Sequence, residues 1–260
     1  MEKKKDPNCS SADAEKDDLH ELLQTLEQHK SWDSRPLVRY EGIWLPVMLF
    51  RPILTSRKHF KAESTDIILT TIPKSGTSWL KALTFSIANR NVFSIDQSPL
   101  LTSNPHTLVP FLEYTVYRDQ ENPELENIPH PRISQLICLS KSFLIPSVNL
   151  DVELSTSAET LWISSEFNPG TFWDHMLGYW NAHLKNPQKL LFLKYEDLKQ
   201  DVSSHVKQIA EFIGFPFSGG RKPGKGEVGD WINHLTPAMA ERDKNLTETK
   251  FQSSGLVFKM

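Results

Sequence analysis

The chain has 260 residues, a formal net charge of −3, 38% hydrophobic and 23% charged residues, and two cysteines. That length holds one large α/β domain or two small ones, and seven Trp and fourteen Phe are ample for a core. The charge excludes binding of nucleic acid by the chain as a whole, no apolar run approaches the roughly eighteen residues of a membrane span, and Cys9 in a polar tail leaves no disulfide framework, which fits a reducing, cytoplasmic compartment.

In chain order, residues 1–17 read as a disordered tail. The basic start "MEKKK" is followed by no apolar segment, so it is not a secretory signal. The remainder, 18–260, reads as a single domain. In "DLHELLQTLEQHK", Leu19, Leu22, Leu23 and Leu26 stand at helical spacing with Asp17 or Asp18 as cap. The segment "VRYEGIWLPVMLFRPIL", broken by Gly42, Pro46 and Pro52, reads as short extended pieces. Asp66–Thr71 is a short β-branched run of the kind buried in a parallel sheet. Pro73–Thr77 is then a tight turn into a helix whose apolar face is Trp79, Leu80, Leu83 and Ile87. Ser98 to Pro131 reads as surface loop with short helical pieces, and residues 133–168 show neither period cleanly. From Thr171, Phe172, Trp173, Met176, Leu177, Trp180 and Leu184 mark a helix. "KLLFLKYEDL" is a second buried strand, and Leu198, Val202, Val206, Ile209 and Ile213 mark an amphipathic helix. "PFSGGRKPGKGEVGDW" is a basic loop, and Trp231 beyond it reads as core. Repeated strand–turn–helix units predict an α/β fold, a central parallel sheet flanked by helices, with ligands beyond the carboxyl ends of its strands.

The turn "PKSGTSW" carries the chemistry. A strand running straight into a helix leaves the first helical N–H groups pointing outward at the positive end of the dipole. Gly76 permits close approach of an anion, Lys74 adds a full charge, and Ser75, Thr77 and Ser78 add hydroxyl donors. The order is not that of a nucleotide P-loop, in which lysine follows the last glycine and a hydroxyl residue then binds Mg²⁺. The stretch is thus P-loop-like without the metal-binding element, and no metal ligands are assigned. Trp79 stacks on a purine or packs in the core; both readings stand.

"TIPKSGTSWLKAL", followed in order by "NPHTLVPFLEY", "FWDHMLGYW", "LFLKYEDLKQD" and "KGEVGDWINHLTPAMAER", resembles the soluble sulfotransferases, in particular their plant cytosolic branch. The resemblance implies transfer of a sulfuryl group from 3′-phosphoadenosine 5′-phosphosulfate (PAPS), a co-substrate rather than a tightly bound cofactor, to a small hydroxylated acceptor, by a monomer or weak homodimer. It implies that Lys74 stabilises the leaving oxygen, that Ser75, Gly76, Thr77 and Ser78 hold the phosphosulfate, and that Trp79 and Tyr195 contact the adenine. Arg221, Lys225 and Gly226 fall in the basic loop that grips the 3′-phosphate. Glu196 and Asp197 open a helix and read as structural.

The chain also departs from that pattern. The family's general base is a histidine soon after a Pro-Arg pair. Pro131-Arg132 is present, but no histidine lies between Pro131 and Asp174, and Phe143 takes the place. His106, in a structural or substrate-lining turn, and His130, in a loop, are the nearest in sequence and the alternative candidates for a surrogate base; His175 reads as helix packing. The arginine that reads the 3′-phosphate is absent, although Ser164 resembles its serine partner, and Gly224 stands where the basic loop carries a second arginine. A central parallel strand is expected to be missing, with residues 134–146 available to fill the gap, and 133–168 and 218–224 are divergent or truncated. The alternative to an active enzyme is an inactive relative that binds nucleotide or a partner. A kinase with a variant P-loop is disfavoured by the loop order.

Overall fold

The computed structural model describes residues 19–31, 34–41, 43–71, 75–120, 123–125, 128, 130–136, 150–155, 169–217, 254 and 256. The tail at 1–17, Trp231, and the segments around Phe143, Ser164 and 218–224 lie outside them.

Residues 19–25 form helix α1. Its last carbonyls are met by side chains: the Thr25 hydroxyl donates to Leu22 O (2.7 Å) and Gln28 Nε2 to Leu23 O (3.2 Å). Gln28–Lys30, expected to continue the helix, instead forms strand β1. It pairs antiparallel with β2 (Pro36–Tyr40), which pairs with β3 (Ile43–Pro46). Residues from Val47 onward, expected to be extended, are helix α2, Val47–His59. Pro52 removes one backbone donor there, but it is itself buried beside Leu49, Phe50 and Ile53, and that burial offsets the lost bond. Arg57, Lys58 and His59 sit in its last turn, where the helix dipole favours cations.

The second sheet is parallel, in the order β5–β4–β6–β7, with β4 Ile67–Thr71, β5 Ile133–Leu136, β6 Leu150–Ser155 and β7 Leu190–Lys194. Ile67 lies opposite Ile133 on one side and Leu150 on the other. The expectation of a missing central strand is corrected. Leu150–Ser155 occupies the place between β4 and β7, while Ile133–Leu136, which holds the described part of the segment expected to fill the gap, forms β5 on the far side of β4. The chain leaves β4 toward β5 and later returns to β6 on β4's other flank, so β4 is the point where strand order reverses. Crevices for ligands form beyond the carboxyl ends of strands at such points.

Among the described residues the other helices are α3 (Thr77–Asn89), a short α4 (Pro105–Leu108), a wide helical turn Leu112–Val116, α5 (Pro169–Lys185), α6 (Tyr195–Gln200) and α7 (Val202–Phe212), with tight helical turns at Ile95–Gln97 and Pro99–Leu101. Strand β7 shows how they are layered. Leu190 and Phe192 join a cluster with Leu45 of β3, Phe50 of α2 and Trp173 and Tyr179 of α5. Leu191 and Leu193 join another with Leu80 of α3, Leu198 of α6 and Ile209 of α7. Alternate residues of a strand point to opposite faces, so helices cover the sheet on both sides. Three further expectations are revised. Leu184 is exposed, and Tyr179 is buried in α5 instead. The buried face of α3 is Leu80, Lys81, Thr84, Ile87 and Ala88, with Trp79 and Leu83 only half-buried. The stretch after Ser98 is not all surface, since Val109, Leu112, Glu113 and Tyr117 are buried.

Candidate functional site

The cradle forms where β4 gives way to α3. Ser75 is buried, Gly76 adopts the left-handed conformation (φ 88°, ψ 20°), and Thr77 is the first helical residue. That backbone region is costly for any residue with a Cβ, which is why glycine stands there. No side chain caps this helix and its first turn holds no acidic residue, so the outward N–H groups and the positive end of the dipole are left for an anion. Lys74, the expected leaving-group residue, and Arg221, Lys225 and Gly226 lie outside the described residues.

Two side-chain networks stand behind the cradle hydroxyls. Gln135, fully buried on β5, donates from Nε2 to Thr71 Oγ1 (3.2 Å) and to Leu136 O (2.8 Å), and Thr71 Oγ1 lies 2.6 Å from Thr77 Oγ1. This joins the end of β4 to the first turn of α3 across the loop. On the other flank, Ser78 Oγ lies 3.0 Å from Nε2 of His106. His106 is in the first turn of α4, where its backbone N–H donates to Asn104 Oδ1 (2.9 Å), and its ring stacks on Phe111 at 5.3 Å. Lys81, wholly buried, donates to Val109 O (2.8 Å) and sits 3.4 Å from the centroid of the Phe111 ring. Burial lowers the Lys81 amine to about 7, against a smaller opposing pull from buried Glu113. Burial, and secondly the Lys81 charge, hold the His106 imidazole below its ordinary value.

The two expected adenine contacts come together. The rings of Trp79 and Tyr195 meet edge-on at 5.8 Å and 82°, both partly buried against the α3–α6–α7 side of the sheet. Tyr195 is the first residue of α6, directly beyond the carboxyl end of β7. Asp197 pairs with Lys194 at 3.0 Å, in keeping with a structural role.

Neither alternative histidine is placed as a base. His130 precedes β5, whose start is level with the start of β4, so it lies at the end of the sheet away from the cradle. His106 is beside the cradle, but Nε2 is engaged by Ser78 and Nδ1 is buried. The side chain of His175 lies outside the described positions. Sequence reasoning passes over Lys81, Thr71 and Gln135. The only signal among them is that Lys81 is the lone charge in the helical stretch "TSWLKALTFSIAN". Among the described residues no group of His, Cys, Asp or Glu is disposed to hold a metal, and no helix is long and apolar enough to cross a membrane.

The chain as a whole is similar to known proteins. The sulfotransferase domain profile matches residues 64–150 and 152–223. Cytosolic sulfotransferase 15 of Arabidopsis thaliana is 32% identical, with 94% of this chain and 88% of the relative covered. The alignment spans 314 positions against 260 residues here, so the relative carries segments without a counterpart. A flavonol sulfotransferase-like protein of Flaveria bidentis is also 32% identical, covering 93% and 100%. Among solved structures, an Arabidopsis thaliana protein described as a candidate steroid sulphotransferase superposes with a TM-score of 0.79 at 32% identity, over 98% of this chain and 100% of that one. A mouse sulfotransferase complexed with PAP shares the fold at a TM-score of 0.57 and 21% identity, covering 84% and 96%.

Proposed function

The chain belongs to the sulfotransferase family, and from that footing we propose that it transfers a sulfuryl group from PAPS to a hydroxyl of a small acceptor. The observation that carries this reading is the uncapped N-terminus of α3, entered through left-handed Gly76 at the carboxyl end of β4, with the Trp79–Tyr195 pair beside it. In the proposed reaction the acceptor oxygen attacks sulfur in line with the leaving oxygen. The bond from sulfur to the 5′-phosphate oxygen breaks, and 3′-phosphoadenosine 5′-phosphate (PAP) departs with the electron pair. The N–H groups and hydroxyls of Thr77 and Ser78 hold the 5′-phosphate. Lys74 stabilises the charge that develops on the leaving oxygen, an interaction strongest in the transition state. Trp79 and Tyr195 bound the adenine, and Arg221 with Lys225 and Gly226 contact the 3′-phosphate. Arg90 supports that last assignment. It donates to the carbonyls of Phe215 and Pro216 (2.6 Å each) and lies over the Phe217 ring, fixing the chain just ahead of the basic loop. The names of the relatives support a small hydroxylated acceptor and a cytosolic setting.

A second reading has its own support. The acceptor's proton needs a base, and neither His106 nor His130 is disposed to be one. Without a base, turnover falls by about two to four orders of magnitude. The chain would then bind PAPS or PAP with little transfer. One experiment separates the readings: purified protein with labelled PAPS and a panel of flavonoids, steroids and desulfo-glucosinolates, beside calorimetric titration with PAP. A labelled product that drops about a hundredfold or more in Lys74→Ala supports the transferase. PAP binding with no product supports the binder. Absence of both overturns the assignment of the cradle.

A further inference from the structure

Resting on the reading of the cradle as a phosphosulfate site, we propose that His106 is a positioning residue that donates from Nε2–H to Ser78 Oγ and so aims the Ser78 hydroxyl hydrogen at the bound anion. The contact is direct, at 3.0 Å, and joins two segments 28 residues apart in sequence. Two tautomers fit that distance. With hydrogen on Nδ1, the Ser78 hydrogen is spent on the imidazole, and Ser78 turns lone pairs toward an anion whose oxygens only accept. A buried N–H would also be left over, because Nδ1 is buried and meets no partner among the described residues. With hydrogen on Nε2, the imidazole donates, Ser78 Oγ accepts, and the serine hydrogen is free for the phosphate or sulfate oxygen. The buried remainder is then a lone pair, the less costly orphan.

The surroundings disfavour a charged ring. A second proton would have to sit on Nδ1, in a buried position and in the field of the Lys81 ammonium. The ring is also held in place: its face stacks on Phe111, Phe111 in turn is held against Lys81, and the backbone carrying the ring is tied through its N–H to Asn104 Oδ1. This accounts for a histidine at the cradle that is not placed to receive the acceptor's proton. Its work is to keep one hydroxyl donor pre-oriented, so that no reorientation is needed when the anion arrives.

Two measurements test this, the first without any ligand. Nitrogen NMR of the imidazoles in the free protein, with His106 assigned through His106→Gln, is expected to show hydrogen on Nε2 and a bare Nδ1. Hydrogen on Nδ1 overturns the proposal whatever the protein binds. The second is PAP titration of the wild type, His106→Phe, His106→Gln, Ser78→Ala, and the double variant that combines His106→Phe with Ser78→Ala. His106→Phe keeps the stacking and loses the donor, and is expected to weaken PAP about three- to tenfold with little change in melting temperature. His106→Gln supplies an N–H near the same place and recovers most of that loss. In the Ser78→Ala background, His106→Phe is expected to have no further effect, because the donated hydrogen bond has lost its acceptor. Equal losses in both backgrounds would show a merely structural role and overturn the proposal. If the wild type fails to bind PAP, the phosphosulfate reading fails, and the tautomer still decides whether His106 donates to Ser78.

Discussion

Lys81 is a charged residue on the buried face of a helix, visible in the sequence only as an interruption. Its ammonium is satisfied by Val109 O and the Phe111 ring, which fastens the segment carrying His106 to α3. The cost shows in its lowered affinity for a proton, with Glu113 and His106 as the ionisable groups coupled to it. The unfolded chain holds this proton to about pH 10, whereas the folded chain releases it near pH 7. Between those values the unfolded state binds more protons, so the Lys81 contribution to stability increases as pH rises and is least favourable below about 7. Replacing Lys81 with Met is expected to remove that rise. In denaturant titrations across this window, wild-type stability should gain on Lys81→Met as pH increases; parallel profiles would show that the amine is not perturbed.

At the scale of elements, the start of β4 and the start of β5 are joined by a buried ion pair. Arg132 donates from Nε to Asp66 Oδ1 (2.7 Å) and from Nη2 to Asp66 Oδ2 (2.5 Å), while Nη1 reaches exposed Glu63 at 3.2 Å. Asp66 Oδ2 also accepts from the Glu63 N–H (2.8 Å). The fork geometry sets the two strands level, and through that register it sets where β5 presents Gln135 to Thr71. Removing one partner leaves an uncompensated buried charge. Asp66→Ala or Arg132→Met alone is expected to cost about 3–5 kcal/mol, and the double replacement clearly less than the sum. Urea denaturation measures this; additive losses would mean the pair is not coupled. Legibility differs sharply among elements. Strand β4 and helices α3, α5 and α7 are readable because each carries its own pattern. Helix α2 is not, because Pro52 reads as a breaker until the burial of its face is known. Strand β6 is not, because six residues between partner strands need no periodicity of their own.

For the whole molecule, β7 is the shared wall of two cores. Phe192 and Leu190 close one side with Trp173, Tyr179 and Phe50, and Leu191 and Leu193 close the other with Leu80 and Ile209. Loss of packing on either side therefore removes support from the same strand. We expect one cooperative transition, with tryptophan fluorescence and near-ultraviolet circular dichroism coinciding, since Trp173 lies in one cluster and Trp79 against the other. Phe192→Ala is expected to lower stability by about 3–5 kcal/mol while leaving the transition single. Two separated transitions would show that the antiparallel sheet with α2 and α5 unfolds as its own unit.

The sequence by itself determined the family and the parallel α/β class, and it pointed to the turn between β4 and α3 as the place to seek an anion. Those readings depend on contiguous residues, since a strand, a glycine and a helix N-terminus leave backbone N–H groups pointing outward through their own local geometry. It did not determine which side chains meet the hydroxyls of that turn. Ser78 meets His106 across 28 residues and Gln135 meets Thr71 across 64, and those distances close only when β5 aligns beside β4 and α4 folds against α3. The tertiary structure also returned a central strand that the residue pattern leaves out. Hydrogen bonding to β4 and β7 supplied what the six residues of β6 do not declare by their own pattern.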